Sequence, residues 1–200
     1  FIFHCFGCGD VGNFLTFINV YDGLSFVEAV EKLAELNNVG VPRENTFGNN
    51  DFSKIHEIND FVANYYFEAL KDPKNKSIVE YLKERGISGQ TAKNFKIGFA
   101  DFNQIELLKK LQDKFSDKEI LESGNFLKNE KGFYPFLRKR ITFPILNSSG
   151  KTIGFGGRVT DDSMPKYLNS KDSKFFNKTR ELYGFNGAKK DHKTEDFIVT

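Results

Sequence analysis

The chain has 200 residues, of which 39% are hydrophobic and 28% charged, a composition typical of a globular protein. No apolar run approaches the about 20 residues that a membrane-spanning helix needs, so we expect no membrane contact. Two cysteines are too few for a disulfide framework in a chain of this length. These features exclude a disulfide-rich secreted protein and favour a cytoplasmic one.

The net charge of +2 is unevenly distributed along the chain. Residues 1–127 contain 14 Lys and Arg against 19 Asp and Glu, whereas residues 128–190 contain 14 Lys and Arg against 5 Asp and Glu. A basic segment favours a polyanionic partner, of which nucleic acid is the commonest. A solvated lysine-rich surface explains the same excess, and charge alone does not decide between the two.

The residues at both ends of the sequence have patterns typical of β-strands. Residues 1–5 alternate in the manner of a strand, and residues 197–200 form an apolar run of the kind found in buried strands. We therefore expect the chain to be a piece of a longer protein.

The N-terminal quarter predicts two short helices followed by a linker. Apolar residues at helical spacing indicate a helix over residues 13–21, and a second helical pattern follows Ser25. Helices this short need a packing partner, so we expect them to lie against the cysteine-containing segment before them or another neighbour. Residues 43–54 are polar and contain Asn and Gly, which predicts a flexible linker.

Helical patterns continue through the middle of the chain. Residues 55–70 predict a strong helix, because Ile55, Ile58 and Val62 recur on one face. Asp72-Pro73 ends that pattern, since the residue before proline is disfavoured in a helix. Shorter helical patterns follow near residues 77–86, 91–95, 105–114 and 118–122.

The pattern changes to strands near Phe126. Ile141, Phe143 and Ile145 alternate with other residues, a polar turn follows at residues 147–150, and residues 152–159 form a glycine-rich run. This combination predicts a β-hairpin. The fold class expected from the whole pattern is α+β, with helices first and a twisted sheet afterwards.

Cys5 and Cys8 form a Cys-x-x-Cys pair with glycines around it. Two thiolates at this spacing can bind one metal ion, but structural zinc takes four ligands. A redox pair is the first alternative, although such a pair normally opens a helix after a strand. Two cysteines without a chemical role are the second alternative, and spacing alone leaves all three open.

Several blocks of the sequence together resemble one family, the bacterial DnaG-type primases. The blocks at residues 4–9 and 25–30 are similar to the second half of that family's zinc-ribbon domain, and residues 81–88 and 95–100 are similar to the start of its polymerase domain. The most specific agreement, in order and spacing, lies at residues 138–145, 153–159, 165–170 and 176–184.

The resemblance implies a division of the chain into domains. Residues 1–42 correspond to the C-terminal part of a CHC2-type zinc ribbon with its flanking helices, and residues 43–54 to a linker. Residues 55–196 correspond to the mixed helix and sheet N-terminal subdomain of the primase core. Residues 197–200 correspond to the first strand of a Toprim subdomain.

The resemblance also implies cofactors, partners and an activity. Cys5 and Cys8 would hold structural zinc with an upstream Cys-x-x-His pair, and catalytic magnesium would be held by Toprim carboxylates beyond Thr200, so no catalytic residue is expected within the chain. The implied activity is DNA-templated synthesis of RNA primers at the replication fork. Its partners would be single-stranded DNA, ribonucleoside triphosphates and a replicative helicase that binds an additional C-terminal domain. Two alternatives are a phage or mobile-element primase-helicase and a non-catalytic zinc-ribbon DNA-binding module.

The basic groove of the family implies a set of template- and nucleotide-binding residues. These are Arg85, Arg158, Lys166, Tyr167 and Lys178. The residue types suit the task, because a guanidinium binds phosphate at two points, an ammonium acts as a point charge and a tyrosine ring stacks on a base.

Arg138 and Arg140 alternate with other residues, so we expect them to share one exposed face of the sheet and to join this groove. A purely structural interpretation exists for two members of the set: Arg85 precedes Gly86 and suits a helix C-terminus, and Lys178 suits an ordinary surface position.

Overall fold

A computed structural model describes residues 2–7, 9–22, 24, 26–37, 39–40, 49–147, 149–173, 176–179 and 181–191. Within those ranges no helix is long and apolar enough to cross a membrane. The segment that we interpret as the first Toprim strand, residues 197–200, lies outside the described residues.

The N-terminal segment forms a small hairpin followed by two helices. Strands β1 (Ile2–His4) and β2 (Val11–Asn13) pair in antiparallel orientation. Helices α1 (Phe14–Asp22) and α2 (Phe26–Leu36) confirm the two helices predicted here. The side chain of Asn13 caps α1, because its Oδ1 accepts a hydrogen bond from the backbone N–H of Thr16 at 3.0 Å. Ile18 and Ala29 are buried, one on each helix.

Helix α3 (Asn49–Ala69) is the longest helix and confirms the strong helical pattern at residues 55–70. Ile55, Ile58, Val62 and Tyr66 are each at most 2% exposed and form the centre of the main apolar core. The helix begins at Asn49, so the predicted linker at residues 43–54 is wrong for residues 49–54. Polar residues are compatible with the first turns of a helix that packing anchors further along. Residues 43–48 lie outside the described residues.

Short helices follow, as the sequence predicts. A 3-10 turn at Pro73–Asn75 leads into α4 (Lys76–Glu84), and Gly86 follows that helix with φ of 77°, a left-handed conformation that suits glycine. Three further helices are α5 (Gly89–Asn94), α6 (Ile105–Gln112) and α7 (Asp117–Glu122).

Helix α7 is joined to α3 by a charged contact. Ser116 and Glu119 form a reciprocal capping box at its start, in which the Glu119 carboxylate accepts a hydrogen bond from the backbone N–H of Ser116 at 2.8 Å. The Lys54 ammonium of α3 donates to the same carboxylate at 2.6 Å.

The strands after β2 form one four-stranded antiparallel sheet and one separate hairpin. Strand β3 (Gly98–Ala100) belongs to the sheet, and β4 (Phe126–Asn129) with β5 (Gly132–Pro135) forms the hairpin. Strands β6 (Arg140–Leu146), β7 (Thr152–Val159) and β8 (Tyr167–Asn169) complete the sheet in the order β3-β6-β7-β8. The predicted β-hairpin is confirmed by the β6–β7 pair. A last helix, α8 (Phe185–Asp191), ends the described chain.

The two faces of the sheet differ in what covers them. On the inner face, Ala100 and Phe155 pack into the main core with α3. On the outer face, Phe99 and Ile141 pack with Leu82 of α4 and with α5 in a second core cluster. This second cluster covers the β3–β6 half of the outer face. The mixture of helices and antiparallel strands confirms the α+β class.

Candidate nucleic-acid interface

The β7–β8 half of the outer face carries exposed polar and aromatic side chains. Tyr167 and Asn169 of β8 are exposed, whereas Leu168 between them packs against the main core. Gly156 of β7 lies opposite Asn169, and a side chain at Gly156 would lie 3.2 Å from the Asn169 amide oxygen. The absence of a side chain there keeps this part of the sheet flat and accessible to another backbone.

The neighbouring Gly157 faces the inner side of the sheet. A Cβ atom at Gly157 would lie 2.8 Å from Leu137 and 3.1 Å from the Arg140 side chain, both on the inner side of the sheet. Gly157 is therefore required by core packing, and only Gly156 contributes to the open face.

Arg158 lies at the border between the covered and the open half. It pairs with Tyr167 across β7 and β8, and its guanidinium carbon is 5.2 Å from the centre of the Tyr167 ring. The same guanidinium is 5.9 Å from the ring of Tyr81 on α4. The Arg158 Nε is buried and has no hydrogen-bond partner among the described residues. The guanidinium is thus held by aromatic rings and is not neutralised by a carboxylate in the described part of the chain.

Arg85 reaches the same border from α4. It is the C-cap residue of that helix, where a cation is favoured by the helix dipole. Its guanidinium carbon lies 5.3 Å from the Tyr81 ring. The structural and the functional interpretations of Arg85 therefore both apply, because the helix end places the cation beside Arg158.

Lys166 and Lys178 are exposed lysines whose main chains are fixed. The Lys166 carbonyl accepts hydrogen bonds from the Val159 N–H at 3.2 Å and from the Arg140 guanidinium at 3.4 Å. The Lys178 N–H donates to the Asp172 carboxylate at 3.0 Å. Neither ammonium group takes part in a salt bridge within the described residues, so both are available to an external anion.

The prediction that Arg138 and Arg140 share an exposed face is wrong. Arg138 is exposed and precedes the strand, whereas Arg140 is 7% exposed. The reason lies in Lys139, whose φ of 50° breaks the strand alternation that the prediction assumed. The Arg140 guanidinium donates to the Pro165 carbonyl at 2.8 Å, and its burial lowers its pKa from the ordinary value. Arg140 therefore supports the segment before β8 from inside.

Two residues beside these cations are absent from the predicted set. Tyr81 contacts both arginines, and Asn169 presents its amide over Gly156. The spacing of Tyr81 and Arg85, four positions apart on a helix, is a sequence signal that predicts the first contact. Its contact with Arg158 joins elements 77 positions apart in the chain, and no local pattern contains that information.

The segment before α8 packs on the apolar part of the outer face. The Tyr183 ring stacks on Phe95 and meets Phe143 edge-on, each at a centroid distance of 6.4 Å. Burial raises the pKa of Tyr183 and of the nearby Glu181 carboxyl. Phe133 and Phe136 are partly buried against the main core.

Salt bridges of the described residues lie elsewhere in the chain. All of them join residues between Lys54 and Lys128. The predicted groove cations Arg85, Arg158, Lys166 and Lys178 take part in none of them. Unpaired positive charge at the open face is the arrangement that a polyanion requires.

The predicted zinc half-site is only partly described, because Cys8 lies outside the described residues. Cys5 is exposed, and its backbone forms a tight turn: its N–H donates to the Asp10 carbonyl and its carbonyl accepts from the Gly9 N–H, both at 2.8 Å. A tight turn with an exposed thiol fits one half of a four-ligand zinc site. The described residues contain no group of three or more His, Cys, Asp or Glu that could hold a metal.

The fold and the two motif regions define a zinc-ribbon segment followed by a primase core domain. Residues 1–49 match the family described as CHC2 zinc finger, and residues 65–189 match DNA primase catalytic core, N-terminal domain. The chain belongs to the bacterial DnaG-type primase family.

Relatives of known identity agree with this assignment. The DNA primase of Clostridium acetobutylicum is 37% identical over 203 residues, covering 99% of this chain and 34% of that protein. The DNA primase of Escherichia coli K12 is 36% identical over 197 residues, covering 95% of this chain and 34% of that protein. The chain therefore spans about a third of these relatives, and neither of the alternative activities predicted from the sequence is favoured by them.

Solved structures show the same fold. The structure of the DnaG primase catalytic domain bound to ssDNA has a TM-score of 0.66 and 33% identity, covering 72% of this chain and 47% of that chain. The Aquifex aeolicus primase with its zinc-binding and RNA polymerase domains has a TM-score of 0.62 and 33% identity, covering 92% of this chain and 45% of that chain.

Proposed function

We propose that this chain supplies the zinc-ribbon and template-binding part of a DNA primase, which synthesises short RNA primers on single-stranded DNA by nucleotidyl transfer. The observation that carries the proposal is the open sheet face, where Arg158 contacts two tyrosine rings and forms no salt bridge among the described residues. A DnaG catalytic domain with the same fold is described as bound to ssDNA, which supports a single-stranded partner.

Each side chain has a distinct role in this proposal. Arg158 and Arg85 bind phosphate oxygens through their guanidinium groups, which form two parallel hydrogen bonds to one phosphate. Lys166 and Lys178 add point charges along the strand. Tyr167, which is 61% exposed, stacks on a base or ribose of the strand. Arg138 is exposed near the groove and adds a further cation, whereas Arg140 is assigned no direct contact.

The division into domains follows the family match in outline. We propose that the zinc-ribbon part occupies residues 1–42, that residues 43–54 link it to the core and that the core subdomain occupies residues 55–196, with the start of α3 belonging to the linking segment. The zinc ion would be held by Cys5 and Cys8 with two further ligands, and it would fix the turn between β1 and β2.

The remaining components of the reaction are proposals from family membership. Magnesium would be held by acidic residues of a Toprim subdomain beginning at residues 197–200, where it would neutralise charge on the transferred phosphoryl group. Ribonucleoside triphosphates are the substrates, and a replicative helicase is the partner through an additional C-terminal domain. The protein would act in the cytoplasm at the bacterial replication fork.

Salt-dependent binding of a single-stranded oligonucleotide tests the role of the open face. Each phosphate contact that is lost should reduce the slope of log affinity against log salt by about 0.7. We expect Arg158→Ala and Lys166→Ala to weaken binding and to flatten that slope, each by about one contact. Lys166→Ala should stay within about 0.5 kcal/mol of the parent in stability, because Lys166 is exposed. Arg158→Ala removes a partly buried side chain with two ring contacts, so a thermal melt checks that this variant is folded at the assay temperature.

Lys118→Ala is the matched control. Lys118 is an exposed lysine on α7 that pairs with Glu122 on the same helix. Its removal changes the net charge by the same amount and should leave the salt slope unchanged. If Arg158→Ala and Lys166→Ala both keep the parental slope, the basic face is only a solvated surface and the proposal is wrong.

A further inference from the structure

Two guanidinium groups share one tyrosine ring beside the open face. The guanidinium carbons of Arg85 and Arg158 lie 5.3 and 5.9 Å from the centre of the Tyr81 ring. Arg85 is the C-cap residue of α4 and Arg158 lies near the end of β7, so the same ring contacts one cation from a helix and one from the sheet. Neither guanidinium forms a salt bridge with a carboxylate among the described residues.

The two tyrosines next to Arg158 differ in how firmly they are held. Tyr81 is partly buried and packs against the second core cluster, which includes Leu82 and Ile141. Tyr167 is 61% exposed on the edge strand β8. A ring fixed by the core keeps its place when a ligand binds, whereas an exposed ring is free to turn towards a base.

The hydroxyl group of Tyr81 has no hydrogen-bond partner among the described residues. The contacts of this side chain are therefore apolar packing against the second core cluster and the two guanidinium groups. The negative face of an aromatic ring attracts cations within about 6 Å, and both groups lie inside that range.

We propose that Tyr81 is a positioning residue that holds Arg85 and Arg158 together, ready to bind the phosphate backbone of the template strand. The inference deepens the proposed function, on which it rests. The ring attracts each guanidinium and restricts its rotamers before the strand arrives, so the two side chains lose less rotamer freedom on binding. A phosphate then neutralises the pair.

Oligonucleotide binding by substituted protein tests this role. Tyr81→Leu keeps apolar volume for the core and removes the ring, and it should weaken binding on the order of threefold to tenfold. Tyr81→Phe keeps the ring and should bind as the parent does. The decisive measurement is a double-mutant cycle: in an Arg85→Ala, Arg158→Ala background, Tyr81→Leu should have no further effect, because the ring has no cation left to hold.

Tyr134→Leu is the matched control, since Tyr134 is a partly buried tyrosine on β5 without a cation contact among the described residues. It should leave affinity unchanged, and a thermal melt of every variant checks folding. If Tyr81→Leu has a lowered melting temperature, Tyr81→Phe still tests the inference. A loss of affinity in Tyr81→Phe would contradict a role for the aromatic ring alone.

The inference fails if Tyr81→Leu binds like the parent, or if its effect persists without the two arginines, which would mean that the ring contacts DNA itself. The outcome for the proposed function is separate. If Arg158→Ala has no effect on binding, the proposed function fails; if Arg158→Ala weakens binding and Tyr81→Leu does not, only the positioning role fails.

Discussion

Arg140 and Arg158 are basic residues on adjoining strands, but their guanidinium groups have different neighbours. The Arg140 side chain is directed to the inner side and donates to the carbonyls of Pro165 and Lys166. The Arg158 side chain lies on the outer face between two tyrosine rings. A buried guanidinium that satisfies carbonyl groups stabilises the fold, whereas one held by rings alone keeps its hydrogen-bond donors for a ligand.

We predict that Arg140→Ala is a stability mutation. Its loss removes the hydrogen bond to the Pro165 carbonyl and one of the two to the Lys166 carbonyl. Hydrogen bonds from charged groups contribute about 1.5–3 kcal/mol, so the free energy of unfolding should fall by about that amount. Chemical denaturation measures the change. The neighbouring Arg138→Ala is the control and should stay within about 0.5 kcal/mol, because Arg138 is exposed. Equal stability of the two variants would contradict the assignment of Arg140 to the core.

Residue patterns predict part of this site. The family resemblance selected Arg158 and Tyr167, and the structure places them opposite each other in register. Strand alternation misplaced Arg140, because the positive φ of Lys139 breaks the regular alternation of side chains between the two faces. The resemblance omitted the contact of Tyr81 with Arg158, because a contact between a helix and a distant strand depends on how the whole sheet packs.

At the scale of elements, α3 organises the inner side of the sheet. Its apolar face was predictable from helical spacing, since Ile55, Ile58 and Val62 recur at intervals of three and four. The first residue of α3 was not predictable, because the polar residues at 49–54 fit both a linker and a first helical turn. The contact of Lys54 with the Glu119 carboxylate was not predictable from the sequence either, because it joins two helices through tertiary packing.

The capping box of α7 predicts a pH dependence of stability. The Lys54 ammonium, followed by the Ser116 donors, lowers the pKa of Glu119 from 4.5 to about 2. A carboxyl whose pKa is lowered on folding stabilises the protein above about pH 4.5, and this contribution is lost as the pH falls towards 2. Glu119→Gln should therefore reduce stability at pH 7 by about 1 kcal/mol, the usual effect of a lost cap, and the difference should shrink between pH 4.5 and 2.

Urea denaturation at a series of pH values measures this difference. Glu122→Gln is the control, because Glu122 lies on the same helix and has only a loose ion pair with Lys118 at 3.8 Å. Its effect should be small at every pH. A constant difference between Glu119→Gln and the parent across the acid range would show that the carboxylate charge is not what stabilises the capping box.

At the scale of the whole molecule, the class of fold and the order of its parts were predictable. The switch from helical periodicity to strand alternation near Phe126 separates α7 from β4 as the structure has it. The covering of the outer face was not predictable, because α4 and α5 pack on only half of it and leave β8 exposed. That uneven covering creates the candidate interface.

The zinc-ribbon part makes a prediction about metal content. Cys5 and Cys8 supply two thiolates, and a closed structural zinc site needs four ligands. The purified 200-residue chain should therefore retain well under one zinc per molecule after dialysis, as measured by elemental analysis. A longer chain that adds the family's Cys-x-x-His pair should retain one, and Cys5→Ser in that chain should release it. One tightly held zinc in the 200-residue chain would overturn this view.

Because the ion pairs are unevenly distributed, one side of the molecule has more uncompensated charge than the other. Helices α3, α6 and α7 neutralise much of their charge among themselves, through pairs such as Lys54–Glu119 and Lys110–Glu106. The open sheet face has cations without such partners, so a field of one sign extends from that side. Under the proposed function, a single strand within about 10 Å of the open face at 0.1 M salt would be attracted to it before any contact forms. The side whose charges are paired internally exerts little attraction on a polyanion, so approach to the open face is favoured.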